Sequence, residues 1–158
     1  PNIAGTITPH HMMLTKKDVF LDKSINPHHF CMPVVKNEED LIALRNFATS
    51  GNKNFFLGTD SAPHPIEFKV PNLKSKPGIF SAPCSIEIYT TIFDEEKSLD
   101  NLEKFCSING PTFYKLPVNA DQIELIEERW TVPEYTIHQE IKIKNFMGGK
   151  ELNWKLKA

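Results

Sequence analysis

The stretch Asn54-Phe55-Phe56-Leu57-Gly58-Thr59 decides the fold, because it predicts a strand that is apolar on both faces. Strands of this kind lie in parallel sheets that helices cover. A helix is predicted directly before it, from the N-cap Asn37 to a stop at Gly51. An earlier β-branched strand is predicted over residues 3–8, ending at Pro9. The order strand, helix, strand predicts a parallel βαβ unit and an α/β fold.

The rest of the chain predicts two further helices and a small β unit. Ser81 and Ser98 are the expected N-caps of the helices, and Asn109-Gly110-Pro111 is expected to break the chain before a short helix ending at Leu116. After residue 117, apolar and polar residues alternate around a Gly148-Gly149 turn. We therefore divide the chain into residues 1–117 and 118–158. The expected inward-facing residues of the helices are Leu41, Leu44, Phe47 and Ala48, then Ile86, Tyr89 and Phe93, then Leu99, Leu102, Phe105 and Cys106. In the β unit, strands are expected at Ile123/Leu125, Ile141/Ile143 and Leu152/Trp154/Leu156, which alternate with polar residues.

Composition excludes several classes of protein. The 158 residues carry 18 Lys and Arg against 20 Asp and Glu, a net charge of −2, so the basic footprint of a nucleic-acid binder is missing. No stretch approaches the ~20 apolar residues of a membrane span. The three cysteines form no CxxC pair. We therefore expect reduced thiols, a cytoplasmic protein, and no nucleic-acid or membrane partner.

Asp60 and His64 are the first candidates for chemistry. Asp60 follows the predicted strand at its carboxyl end, where α/β sheets and barrels keep their active sites, and His64 comes four residues later. A carboxylate there can bind a metal or move a proton, and an imidazole can bind an anionic group. The structural alternative stays open: Asp60 caps the next turn and His64 is a surface residue. The loop over residues 63–79 is long for a βα connection, as functional loops often are.

Two histidine pairs and a cysteine form a second group. On an extended chain, adjacent histidines point to opposite sides, so His10-His11 and His28-His29 each offer at most one ligand to a single ion. Local packing or hydrogen bonding is the favoured interpretation of both pairs. Cys31 is expected to be a buried, inert thiol. The GxGxxG, P-loop and GxSxG motifs are missing, which disfavours nucleotide binding and serine hydrolysis.

An ordered set of motifs resembles dihydroorotase, of the single-function bacterial type in the amidohydrolase superfamily. The resemblance is strong over residues 4–117 and weaker beyond. The matching motifs are Thr6-Ile7-Thr8-Pro9-His10-His11, Asn26-Pro27-His28, Cys31-Met32-Pro33, Phe56-Leu57-Gly58-Thr59-Asp60-Ser61-Ala62-Pro63-His64, Phe80-Ser81-Ala82-Pro83 and Ser107-Ile108-Asn109-Gly110-Pro111.

The resemblance implies the C-terminal part of a (β/α)₈ TIM barrel, with its last two strands and helices. It implies the reversible closure of N-carbamoyl-L-aspartate to L-dihydroorotate in the pyrimidine (UMP) pathway. It also implies two zinc ions that are bridged by a hydroxide. The family's other metal and substrate residues lie upstream of this sequence, which opens at Pro1. We therefore expect the chain to need the N-terminal part of the barrel as its partner and to be inactive alone. The oligomeric state stays open, a homodimer included.

The resemblance also assigns residue roles. It implies that Asp60 ligates one metal and moves the proton between hydroxide and leaving nitrogen, and that His64 contacts the substrate carboxylate. It implies that the backbone of Met32 pairs with the ring amide. Pro77 falls on a position whose backbone N–H meets the carboxylate, and proline has none. Either Gly78 donates instead, or that contact is missing.

Two other functions are kept as alternatives. One is a noncatalytic half-barrel that only docks to another subunit. The other is a different cyclic-amide hydrolase, similar to hydantoinase.

Overall fold

Short strands alternate with helices along the chain in this computed structural model, which describes residues 3–157. No helix among those residues is long and apolar enough to cross a bilayer. In chain order the elements are β1 (Gly5–Ile7), α1 (Lys16–Val19), β2 (Phe20–Leu21), β3 (Ser24–Ile25), α2 (Glu38–Thr49), β4 (Phe55–Leu57), α3 (Ser85–Glu95), α4 (Asn109–Tyr114), β5 (Leu125–Thr131), β6 (Tyr135–His138), β7 (Ile141–Lys144) and β8 (Glu151–Leu156).

The predicted βαβ unit is confirmed. β1 pairs in parallel with β4, with Gly5 opposite Phe55 and Ile7 opposite Leu57, and α2 connects the two strands. Directly after β4, a Cβ on Gly58 would lie 2.5 Å from the Cβ of Thr6. Only glycine therefore lets the two chains run this close where the site begins.

Helix α2 begins as predicted but buries less than predicted. Asn37 caps it in a capping box with Asp40, whose carboxylate accepts the Asn37 N–H at 3.1 Å. Phe47 was expected in the core, yet it is 50% exposed and packs against Phe55 with 4.9 Å between ring centroids. That prediction is wrong because the two-stranded sheet is too narrow to cover the whole apolar face of the helix.

The start of α3 corrects a predicted cap. The Ser81 hydroxyl caps nothing: it is buried without a hydrogen-bond partner among residues 3–157. Ser61 instead caps the 3-10 turn Ala82–Cys84 that leads into α3, because its Oγ accepts the backbone N–H groups of Ser81 and Ala82 at 3.1 and 2.9 Å. A cap from twenty residues away is invisible to a local pattern. On α3 itself, Tyr89 and Phe93 are fully buried as expected, and the Tyr89 hydroxyl donates to the Ile7 carbonyl at 2.7 Å.

The predicted chain break at Asn109-Gly110-Pro111 is wrong. The chain is helical from the 3-10 turn Leu99–Asn101 through a π-helical stretch Lys104–Ile108 into α4. In the π-helical stretch, hydrogen bonds join residues five apart instead of four. The regular bonding is therefore interrupted before Pro111, and the missing N–H of Pro111 does not end the helix. It ends at Tyr114, followed by Lys115 at φ 57°. Ser98 precedes the first turn without a side-chain cap bond.

The predicted C-terminal β unit is confirmed in outline. β5 pairs antiparallel with β8, and β6 with β7. Ile123 is 62% exposed and lies outside the strands, so the first strand of this unit begins two residues later than predicted, at Leu125. β6 had not been predicted, because the alternation in Tyr-Thr-Ile-His covers only four residues. Val132, Phe146 and Leu152 share one core with Tyr89 and Phe93. The division at 117/118 stays a proposal.

Candidate functional site

Asp60 lies where β4 ends and has a free carboxylate. The residue is exposed, its backbone is left-handed at φ 43°, and its side chain makes no hydrogen bond or ion pair with residues 3–157. It therefore does not cap the next turn, and that structural alternative is wrong. Asp60 lines a cavity of about 470 Å³ together with Thr6, Thr8, His11 and Pro33. A carboxylate without a competing donor, beside a cavity at a strand end, can bind a cation or accept a proton.

The loop after Asp60 is closed at its base. Ser61 forms a parallel bridge with Ile79, and the Ala62 N–H donates to the Ile79 carbonyl at 3.0 Å. The loop therefore leaves the end of β4 and returns to it. These backbone contacts fix the two ends of the loop next to each other, close to Asp60.

His64 lies inside this loop and is half-buried. Its Nε2 is 3.0 Å from the carbonyl oxygen of Pro77. A carbonyl oxygen can only accept, so Nε2 carries the hydrogen in this contact. Nδ1 is left to face a ligand. To donate to a carboxylate, the ring must be doubly protonated or must release Pro77.

Neither Pro77 nor Gly78 offers a free backbone donor. Pro77 has no N–H, and the Gly78 N–H donates to the Phe30 carbonyl at 2.8 Å. Gly78 is held at φ 145°, and a Cβ there would lie 2.8 Å from the Cβ of Ala62. The structure thus supports the alternative in which the backbone contact to a carboxylate is missing from this loop.

Lys69 holds the loop together and was missed by the sequence analysis. It is 8% exposed, and its ammonium donates to the carbonyls of Lys76 and Gly78 at 2.8 and 2.7 Å. Burial lowers its pKa to about 8. Its position between Phe68 and Val70 was the available signal, since apolar neighbours in a loop suggest a buried lysine.

Met32 has an unpaired backbone among the described residues, and its contact with a substrate stays a prediction. The side chain is 56% exposed, and the N–H and C=O make no hydrogen bond to residues 3–157. The neighbouring Phe30 carbonyl is bonded to Gly78, which fixes this segment against the loop.

The histidine pairs are not extended, so the predicted geometry for His10 and His11 is wrong. Both lie on the 3-10 turn His10–Met12, with ring centroids 4.8 Å apart. Thr8-Pro9 before them was the missed signal, since proline favours the start of a turn. His11 bonds locally, with Nδ1 2.6 Å from Thr8 Oγ1 and Nε2 2.9 Å from the Pro33 carbonyl.

Burial sets the protonation of this group. It lowers the pKa of His10 to about 3, with a smaller contribution from His11, so His10 is neutral. Burial also raises the pKa of the Cys31 thiol, which agrees with an inert thiol. In the second pair, His29 Nδ1 lies 3.0 Å from the Asn26 amide nitrogen, a local bond of the kind expected.

The predicted site residues fall into two neighbouring groups. His64, Pro77 and Gly78 meet in the loop, whereas Asp60 faces the cavity beside His11. No single cavity among the described residues collects all of them. The two groups are joined through the Phe30–Gly78 hydrogen bond and the base of the loop.

Comparison with known proteins finds dihydroorotases among both the curated relatives and the solved structures. A dihydroorotase of Nitrosomonas europaea is 46% identical over 157 residues, which is 99% of this chain and 44% of that protein. The crystal structure of dihydroorotase from Saccharomyces cerevisiae in complex with 5-fluoroorotic acid matches with a TM-score of 0.89 and 34% identity, over 98% of this chain and 43% of that one. The dihydroorotase structure from Campylobacter jejuni matches with a TM-score of 0.85 and 36% identity, over 98% and 45%. No family model matches the chain.

The comparisons confirm the fold prediction. The chain spans about 44% of the length of the curated relatives it matches, and it corresponds to their C-terminal part. It has the fold of the C-terminal part of an amidohydrolase TIM barrel. A D-hydantoinase structure aligns with a TM-score of 0.74 but only 14% identity, so that likeness shows the fold alone.

Proposed function

We propose that this chain, which is homologous to the C-terminal part of dihydroorotases, supplies the last two strands of a dihydroorotase barrel and one carboxylate of its active site. The enzyme interconverts N-carbamoyl-L-aspartate and L-dihydroorotate in pyrimidine synthesis. The observation that carries the proposal is the Asp60 carboxylate, exposed and without a partner among residues 3–157 where β4 ends beside a cavity. Active sites of (β/α)₈ enzymes lie at this end of the strands.

Asp60 also fits a zinc site. A carboxylate oxygen is a zinc ligand, and no donor from residues 3–157 competes for it. Asp60 would be the ligand that this chain provides to one of two zinc ions, with the remaining ligands in the part of the barrel that this chain does not cover. When bound, zinc lowers the pKa of coordinated water so that a nucleophile forms near neutral pH.

The work proposed for Asp60 is proton transfer. In hydrolysis, a C–O bond forms at the ring carbonyl and the C–N bond breaks. Asp60 accepts the proton of the attacking water and passes it to the departing nitrogen, and ring closure runs the same transfer in reverse. Its exposure at the cavity gives the carboxylate access to both positions.

Substrate binding is proposed for the loop side of the site. The unbonded N–H and C=O of Met32 can pair with the C=O and N–H of the ring amide. His64 can bind the substrate carboxylate when both ring nitrogens carry a hydrogen, with Nδ1 donating to the carboxylate while Nε2 donates to Pro77. Gly78 has no part in this while its N–H is bonded to Phe30. We also propose a cytoplasmic location, which three free cysteines support.

The test is a chimera that joins the N-terminal part of the Nitrosomonas europaea dihydroorotase to this chain. It is assayed with zinc on L-dihydroorotate and on hydantoin, after circular dichroism has established folding. We expect turnover of dihydroorotate and little of hydantoin. Preference for hydantoin would favour the hydantoinase alternative. A folded chimera without turnover would favour the noncatalytic half-barrel.

A further inference from the structure

Three side chains that can bind a metal lie close together beside the proposed active site. His10 and His11 lie on the 3-10 turn after β1, and Cys31 lies on the segment leading to Met32. One potential ligand atom from each residue lies within 4.8 Å of the other two. None of the three belongs to the proposed catalytic set, which contains Asp60.

His10 gives a separate reason to look for a ligand here. Its side chain is fully buried, and neither ring nitrogen has a hydrogen-bond partner among residues 3–157. Its ring packs edge-on against Phe146, with 6.3 Å between centroids. Buried polar groups are nearly always paired, so an imidazole with two unpaired nitrogens needs an explanation. A bound ion supplies one, because it takes a nitrogen lone pair directly.

His11 and Cys31 turn their ligand atoms toward the same point. His11 Nε2 lies 2.9 Å and Cys31 Sγ 3.4 Å from the carbonyl oxygen of Pro33. On its other side, His11 Nδ1 lies 2.6 Å from Thr8 Oγ1. Because a carbonyl oxygen only accepts, Nε2 carries the ring hydrogen in the Pro33 contact, and the Thr8 hydroxyl donates to Nδ1. Metal binding replaces that contact: the ring hydrogen moves to Nδ1, which then donates to Thr8 Oγ1, and Nε2 binds the metal. Metal-bound histidines usually donate their second nitrogen in this way.

We propose that His10, His11 and Cys31 form a second metal site that binds a zinc-class divalent cation without Asp60 as a ligand, next to the cavity that His11 and Asp60 both line. Two imidazole nitrogens and a thiolate are a borderline-soft set that suits zinc. With Zn–N near 2.0 Å and Zn–S near 2.3 Å, the ligand atoms must stand roughly 3.3–3.7 Å apart. The widest separation therefore closes by about 1 Å on binding. The Cys31 thiol proton leaves to solvent, and a fourth position stays open for water.

The test is a Co²⁺ titration followed by absorption, with thiols kept reduced. It is made on the 158-residue chain and in parallel on the chimera, each checked by circular dichroism. A thiolate bound to Co²⁺ gives a sulfur-to-cobalt charge-transfer band in the near ultraviolet. Asp60 and nitrogen ligands do not, so the band separates this site from the proposed catalytic one and does not depend on activity.

The variants identify the ligands. We expect one equivalent of Co²⁺ to produce the band, Cys31→Ser to abolish it, and His10→Gln to weaken Co²⁺ binding at least ten-fold. Cys106→Ser and His138→Gln are the matched controls and should leave the titration unchanged. No band in either folded protein, a band that survives Cys31→Ser, or binding unaffected by His10→Gln would each overturn the proposal.

Discussion

At the scale of the residue, the chemistry proposed for the chain depends on the carboxylate of Asp60. Replacing it with the isosteric amide in Asp60→Asn removes the proton acceptor and weakens a metal ligand while keeping the shape of the side chain. We expect kcat of the chimera to fall by roughly 10²–10⁴-fold, the usual contribution of an acid–base group. The exposed Asp22 provides the matched control, Asp22→Asn, which should retain full turnover.

Replacing His64 should affect KM, whereas replacing Asp60 should affect kcat. Its proposed partner is a carboxylate that takes no part in the reaction, so His64→Ala should raise KM and leave kcat nearly unchanged. A hydrogen bond to a charged group contributes about 1.5–3 kcal/mol, so KM should rise roughly ten-fold or more. His138→Ala, on the exposed end of β6, is the control. A fall in kcat at constant KM would remove His64 from substrate binding.

Single residues also show what a sequence can and cannot reveal. Asp60 was predictable at a strand end because a short apolar strand directly precedes it. The partners of a side chain were not predictable, since they depend on which groups the fold brings near. The two ring nitrogens of His10 lack partners among the described residues, and Lys69 donates to two carbonyls. Both features depend on the tertiary structure.

At the scale of the element, the loop over residues 63–79 is organised by the Lys69 ammonium. Its pKa is about 8 in the folded chain against 10.5 without burial, so between these values the unfolded chain binds more protons. Stability contributed by Lys69 therefore rises as pH rises from about 8 to 10.5. We expect the free energy of urea unfolding of the wild type, relative to Lys69→Met, to increase over this range. Lys74→Met, at an exposed loop position, should show no such trend.

The helix over residues 99–114 is tied to β4 by one buried amide. Asn109 is 7% exposed, and its Nδ2 donates to the Phe55 carbonyl at 3.0 Å. Asn109→Ala leaves that carbonyl unpaired, so we expect unfolding in urea to lose about 1–3 kcal/mol. The exposed Asn119 gives the control Asn119→Ala. If both variants lost an equally small free energy of unfolding, the Asn109–Phe55 hydrogen bond would not contribute to stability.

Elements were predictable where their signals are local. The cap, length and stop of α2 follow from Asn37, the acidic first turn and Gly51. The cap of the 3-10 turn Ala82–Cys84 before α3 was not predictable, because Ser61 provides it from across the loop. The helix that continues through Pro111 was not predictable either, because no sequence motif indicates the π-helical stretch that precedes the proline.

At the scale of the whole molecule, the described sheet is incomplete for a barrel. β1 and β4 pair only with each other among residues 3–157, whereas a (β/α)₈ barrel has eight strands. Apolar side chains stay exposed beside them, including Ile42 and Phe47. The fold class was predictable because the βαβ order and the motifs are contiguous. The exposure of Phe47 was not, because it depends on how much of α2 the two described strands cover.

The most direct test of the central claim is a dihydroorotase assay of the isolated 158-residue chain beside the chimera, at equal protein and zinc. The account predicts turnover by the chimera and none above background by the chain, since the chain brings a single proposed ligand, Asp60. Measurable zinc-dependent turnover by the chain alone would contradict it.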